Sequence, residues 1–90
     1  MSGFLQKSRN NVKRALLGAL GTQLEQQAAS ELAEGKLVSP TSLDEVCNRI
    51  IPALRDNPVT GGTLKALGVK DSELRSLLEA AFIKVGVELK

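Results

Sequence analysis

The side chains able to do chemistry are few, and the first is Cys47, the one cysteine in a chain without histidine. A thiol becomes a nucleophile when a base or a cation depresses its pKa. Arg49 stands two positions away and so points to another side of the helix predicted here, whereas Leu43, Ile50 and Ile51 at i−4, i+3 and i+4 are apolar. Cys47 therefore reads as a packing residue, as free cysteine commonly is. With no histidine, the usual group titrating near neutrality is missing. Glu31 and Glu34 fall within one turn, the spacing of a solvated face, and no cluster of Cys or carboxylates has metal-ligand spacing. The stretch Val-Thr-Gly-Gly-Thr at 59–63 lacks both the G-x-x-x-x-G-K-[ST] spacing and the preceding strand of a phosphate loop. Its glycines read as backbone punctuation. The expectation is a protein that is not an enzyme, with no catalytic, cofactor-binding or metal residues.

Charge is the next candidate for function. Lys7, Arg9, Lys13 and Arg14 give the first fourteen residues four cations and no acid, while residues 25–45 carry Glu25, Glu31, Glu34, Asp44 and Glu45 against Lys36. A net charge of +2 is too small to argue for nucleic acid by itself. The four cations are candidates for electrostatic contact with phosphates, an acidic partner or an anionic surface. Lys70, Arg75 and Lys84 near the C-terminus are diluted by Asp71, Glu73 and Glu79, and two phenylalanines offer little base stacking. A nucleic-acid partner is thus weakly supported.

The elements that must position these groups are helical. Val12, Leu16, Leu20, Leu24, Ala28 and Leu32 recur every four residues, the spacing of one helix face. Gly18 and Gly21 interrupt the run, and Thr22 with Glu25 has the form of a capping box. The pattern predicts a helix over about 9–19 and another over about 23–34, stopped by Gly35. Ser42 with Glu45 opens a third helix, which should end or kink near Pro52. A short element over 61–67 follows, capped by Thr60 or Thr63 and stopped by Gly68. The last helix is capped by Asp71, carries the stripe Leu74, Leu77, Leu78, Ala81, Phe82, Val85, and ends at Gly86. The fold class is all-α, with four to five short helices in an open, partner-wrapping arrangement. Residues 1–10 read as a flexible basic N-terminus and 11–90 as one helical domain.

Ninety residues with 42% hydrophobic and 2% aromatic content build a thin core of Leu, Val, Ile and Ala. Such a domain gains from burying its apolar faces against another chain. No run approaches the 18 apolar residues of a membrane span, and no secretory signal is evident. A lone cysteine fits a reducing compartment. The expected location is intracellular, without a transmembrane segment.

In order along the chain, several pieces resemble the enhancer-of-yellow-two family, small all-helical subunits of eukaryotic transcription and messenger-RNA export assemblies. Leu24, Leu32 and Gly35 are similar to its second helix. Leu43, Cys47, Ile50 and Ile51 are similar to its third, Val59, Thr60 and Leu64 to its fourth. Val69, Asp71, Ser72, Leu77 and Leu78 are similar to its last. The likeness covers residues 16–82, with two departures: Lys36 replaces a tryptophan, and an Ile-x-Pro segment before the last helix is missing. The resemblance implies a non-enzymatic adaptor whose short helices clamp a long helix of a larger partner, in a transcription-coactivator or mRNA-export complex in the nucleus. The departures keep open a structural subunit of a cytoskeletal, ciliary or other large complex, in the cytoplasm. Nucleic-acid or anionic-surface binding through the basic N-terminus is a further alternative. The residues expected to form core or partner contacts are Leu16, Leu20, Leu24, Leu32, Leu43, Val46, Cys47, Ile50, Leu64, Leu74, Leu77, Leu78 and Phe82.

Overall fold

One helix runs where two are expected. In the computed structural model, which describes the backbone of residues 2–90 and the side chains of residues 11–90, α1 spans Ser2–Ala33 without a break. Thr22 does not cap a second helix: its hydroxyl donates to the Gly18 carbonyl at 3.2 Å, the back-bond of a hydroxyl inside a helix. A rise of about 1.5 Å per residue makes α1 about 48 Å long, and it sets the 50 Å long dimension of the molecule. Residues 2–10 are the first turns of this helix, and the side chains of Lys7 and Arg9 lie outside the described residues.

The two glycines that suggested a break have different surroundings. A Cβ at Gly21 would come within 3.2 Å of the Leu77 side chain, so this glycine lets α1 lie close to the last helix. At Gly18 a Cβ would have open space. Gly18→Ala is accordingly expected to raise stability by about 1 kcal/mol, the intrinsic helix gain, measured by urea denaturation. An unchanged midpoint would mean that the helix is interrupted there.

Three shorter helices follow: α2 over Leu43–Asp56, α3 over Pro58–Ala66 and α4 over Asp71–Lys84. Ser42 caps α2 as expected, accepting from the Glu45 amide at 3.4 Å. Pro52 lies inside α2 and does not end it. The turn beyond Pro52 is held from outside: the Arg55 guanidinium donates to Asp71 at 2.7 Å and to the Val69 carbonyl at 2.8 Å. These bonds offset the helix bond that proline removes.

The start of α3 also differs from expectation. Its cap is Asn57, whose side-chain oxygen accepts from the Val59 and Thr60 amides, both at 3.0 Å, with Pro58 as first helical residue. Thr63 instead back-bonds to the Val59 carbonyl at 2.8 Å. For α4 the N-cap is Lys70, which makes no side-chain cap bond, and Asp71 is the first residue within the helix.

Helices α1 and α4 run parallel, because Lys13 meets Glu73, Gly21 meets Leu77 and Glu25 meets Lys84. α4 packs in turn on α2, and α2 on α3. Among the described residues the architecture is all-helical, with a single parallel bridge between Thr41 and Leu89 and no strand.

Three helix ends reuse one device. Gly35, Gly68 and Gly86 have positive φ, and the following amides bond back to Glu31, Leu64 and Phe82 at 2.9, 2.9 and 3.0 Å. These are Schellman motifs, which reverse the chain and tuck an apolar residue beneath the helix end. Leu37, Val69 and Val87 enter the core this way.

Candidate partner-binding face

Most residues expected to meet core or partner turn inward on this chain's own core. Leu20, Leu24, Leu43, Val46, Cys47, Ile50, Leu64, Leu74, Leu78 and Phe82 are buried together. Leu16, Leu32 and Leu77 pack at its margin and are partly exposed. Ala28, Leu37, Val69, Ala81 and Val87 complete the core. The signal for Leu37, Val69 and Val87 was a glycine stop followed within two residues by an aliphatic side chain. Among the described residues no polar or charged side chain is buried.

The four-residue stripe on α1 has a second consequence. Four residues turn an α-helix by about 400°, about 40° past a full circle. A stripe of that period therefore drifts around the helix instead of holding one side. Leu24 and Val12 stand three such steps apart, so their directions differ by about 120°. Leu24 is 2% exposed against the core, whereas Val12 is 54% exposed. Around Val12 a second set begins: Val12, Ala15, Leu16 and Ala19 fall at i, i+3, i+4 and i+7. Val12, Ala15 and Ala19 are exposed and Leu16 is partly so. Helix α1 thus has an apolar face covered by α4 and, beyond Leu16 at the core margin, an exposed strip of Val12, Ala15 and Ala19.

Cations border this outer patch. Arg14 lies past Gly18 on one edge, and Lys13 lies past Leu16 on the other. Lys13 also reaches α4, with its ammonium 2.9 Å from the Glu73 carboxylate. That hydrogen-bonded ammonium holds Glu73 below the usual carboxylate range. The contact's contribution is therefore present above about pH 4.5 and fades as pH falls through the lowered Glu73 pKa. Exposed pairs contribute little stability; the rotation of α1, and so which side of it stays open, is set by the burial of Leu20, Leu24 and Ala28 in the core.

The other exposed large apolar residues stand apart. Val38, Val59 and Ile83 occur singly, which is ordinary for a protein surface. Two open clefts flank α2. One, of about 420 Å³, is lined in part by Val38, Pro40, Glu45 and Arg49. The other, of about 310 Å³, lies beside Cys47, Pro52, Ser72 and Arg75. In the first, the cations Lys36 and Arg49 are already engaged by Glu34 and Glu31 at 3.0 and 2.9 Å.

Cys47 does have a cation nearby, though not the one its own helix provides. Arg75 of α4 lies close enough to favour the thiolate, but its guanidinium is held by Asp44 at 2.7 Å. Burial outweighs it and pushes the thiol pKa above the usual 9.0. The folded state thus holds its proton more tightly than the unfolded chain. The resulting stabilisation is full below pH 9 and declines as pH rises beyond it. A maleimide is expected to label Cys47 at least about tenfold more slowly in the native protein than in urea at pH 7.5; equal rates would contradict the burial.

Among the described residues no three His, Cys, Asp or Glu side chains stand together as a metal site. No described helix is long and apolar enough to cross a membrane. Comparison with known proteins returns no match to a family model, to a curated protein or to a solved structure. The family resemblance rests on the quoted motifs themselves.

Proposed function

We propose that this protein is a non-enzymatic adaptor subunit that holds a long helix of a larger partner against the outer face of α1. The observation that carries this reading is the exposed i, i+3, i+4, i+7 patch of Val12, Ala15, Leu16 and Ala19, set on a helix whose opposite side is fixed by the core. An apolar patch at that spacing is what a helix presents to another helix. The adaptor idea arose from a core too thin to stand alone. The buried set now gives it a different basis: the core closes on itself, and the exposed apolar residues that fall together, not singly, are on α1.

The motifs shared with the enhancer-of-yellow-two family support placing the protein in a transcription-coactivator or mRNA-export assembly, in the nucleus. Affinity capture of a tagged chain, with identification of the co-purifying protein and imaging of the tag, tests both parts. A stoichiometric partner with a long helix, and nuclear signal, are expected. A cooperatively folded monomer that retains no partner would overturn the adaptor reading, and a wholly non-nuclear signal would overturn the placement.

A further inference from the structure

We infer that α1, continuous when closed, divides near Gly18 into two parts: an N-terminal arm that opens and recloses as one unit, and a stem, residues 20–33, that opens only with the whole domain. The two parts are held very differently. In the stem, Leu20, Gly21, Leu24 and Ala28 are buried. Glu25 and Glu31 also tie it to Lys84 of α4 and Arg49 of α2, at 3.4 and 2.9 Å. Among residues 11–19 none is buried. Leu16 and Leu17 pack at the core margin and stay partly exposed. Among the described residues, the one ion pair from this stretch to another helix is Lys13 with Glu73, at 2.9 Å.

The free energy of a local opening follows the contacts it breaks. Opening the arm exposes two half-buried leucines and loses one partly exposed ion pair, whereas opening the stem takes the core apart. A helix as short as the arm is marginal in water once undocked, so the arm unwinds and does not swing out whole. The junction favours a stop at this point. Gly18 and Gly21 gain more backbone freedom on unwinding than any other residue type. The Thr22 hydroxyl, donating to the Gly18 carbonyl at 3.2 Å, gives that carbonyl a side-chain partner on the stem. Val12, Ala15 and Leu16 of the outer patch lie on the arm. A helix docked there makes contacts that exist only when the arm is closed, so binding and closure are coupled. That coupling rests on the adaptor reading; the division of α1 does not, and the free chain tests it alone.

Hydrogen exchange of the full chain, followed amide by amide by NMR, reads both parts. Amides 12–17 are expected to share one level of protection, at least about tenfold below that of amides 24–28. Ile50→Val removes one methyl group from the buried core. It is expected to lower the protection of amides 24–28 by about three- to tenfold and to leave 12–17 unchanged, because the core stays intact while the arm is open. Equal protection in the two stretches, or an equal loss in both on Ile50→Val, would overturn the inference, since α1 would then open only with the domain. A smooth decline in protection from residue 20 back to residue 12 would also overturn it, as the ordinary fraying of a helix end with no cooperative unit.

Discussion

Gly61→Ala is expected to destabilise the protein by about 3 kcal/mol, the upper range for forcing extra volume into a packed contact. Helices α2 and α3 are joined through Asn57 alone, so the chain doubles back tightly and α3 lies against the end of α2. A Cβ at Gly61 would press into the Arg55 carbonyl oxygen and the backbone behind it. Backbone cannot rotate aside as a side chain does, and Arg55 is tied on its other side to Val69 and Asp71. The control is one residue away. A Cβ at Gly62 would meet nothing within 4 Å, so Gly62→Ala is expected to be neutral or to stabilise by up to about 1 kcal/mol. Guanidinium denaturation of the two variants checks the pair. Equal midpoints would mean that α2 and α3 do not pack as described.

Phe82→Ala is expected to cost about 3 to 5 kcal/mol, as for large aromatic deletions in closed cores. Phe82 is 1% exposed and is the largest fully buried side chain among the described residues. Its carbonyl also receives the Val87 amide at 3.0 Å, so the ring and the helix end are fixed together. A ninety-residue domain is stable by roughly 5 to 13 kcal/mol, so this loss leaves a marginal protein. Ile83→Ala, at the neighbouring exposed position, is expected to change stability by less than about 0.5 kcal/mol. Thermal denaturation of both variants separates a self-contained core from one that a partner must complete. A small effect at Phe82 would favour the latter.

The contrast between α1 and α4 explains how much of this fold was legible. In α4 the spacing alternates three and four, which holds one side of a helix: Leu74, Leu78, Ala81 and Phe82 are buried, and Leu77 and Val85 of the same stripe are partly exposed at its margin. In α1 the apolar residues recur at a constant four, and that spacing drifts. Read as one face, it hid the outer patch. The glycines then suggested a break, because their cost was counted without the contact that α4 makes at Gly21. Pro52 misled for a similar reason: the turn after it is anchored by bonds to residues fourteen and sixteen positions away. Asn57 before Pro58 is a readable start for α3, a stronger one than Thr60 or Thr63. The Thr41–Leu89 bridge had no local signal at all.

The same limit applies to the candidate face. Sequence listed the apolar residues but could not divide them, since self-core and partner-facing side chains have the same chemistry. What divides them is the rotation of α1, set by the burial of Leu20, Leu24 and Ala28 and by the closeness of Gly21 to Leu77. Arg75 beside Cys47 was hidden likewise, because it comes from another helix.

The central claim is that the outer side of α1 is where another protein's helix lies. A photo-crosslinking residue placed at Ala19, and in a second variant at Ile83, tests it most directly in the complex with the captured partner. Both positions are exposed, and they lie on different helices. Cross-links from position 19 to consecutive turns of one partner helix, and none from position 83, are expected. Cross-links from position 83 with none from position 19 would contradict the claim.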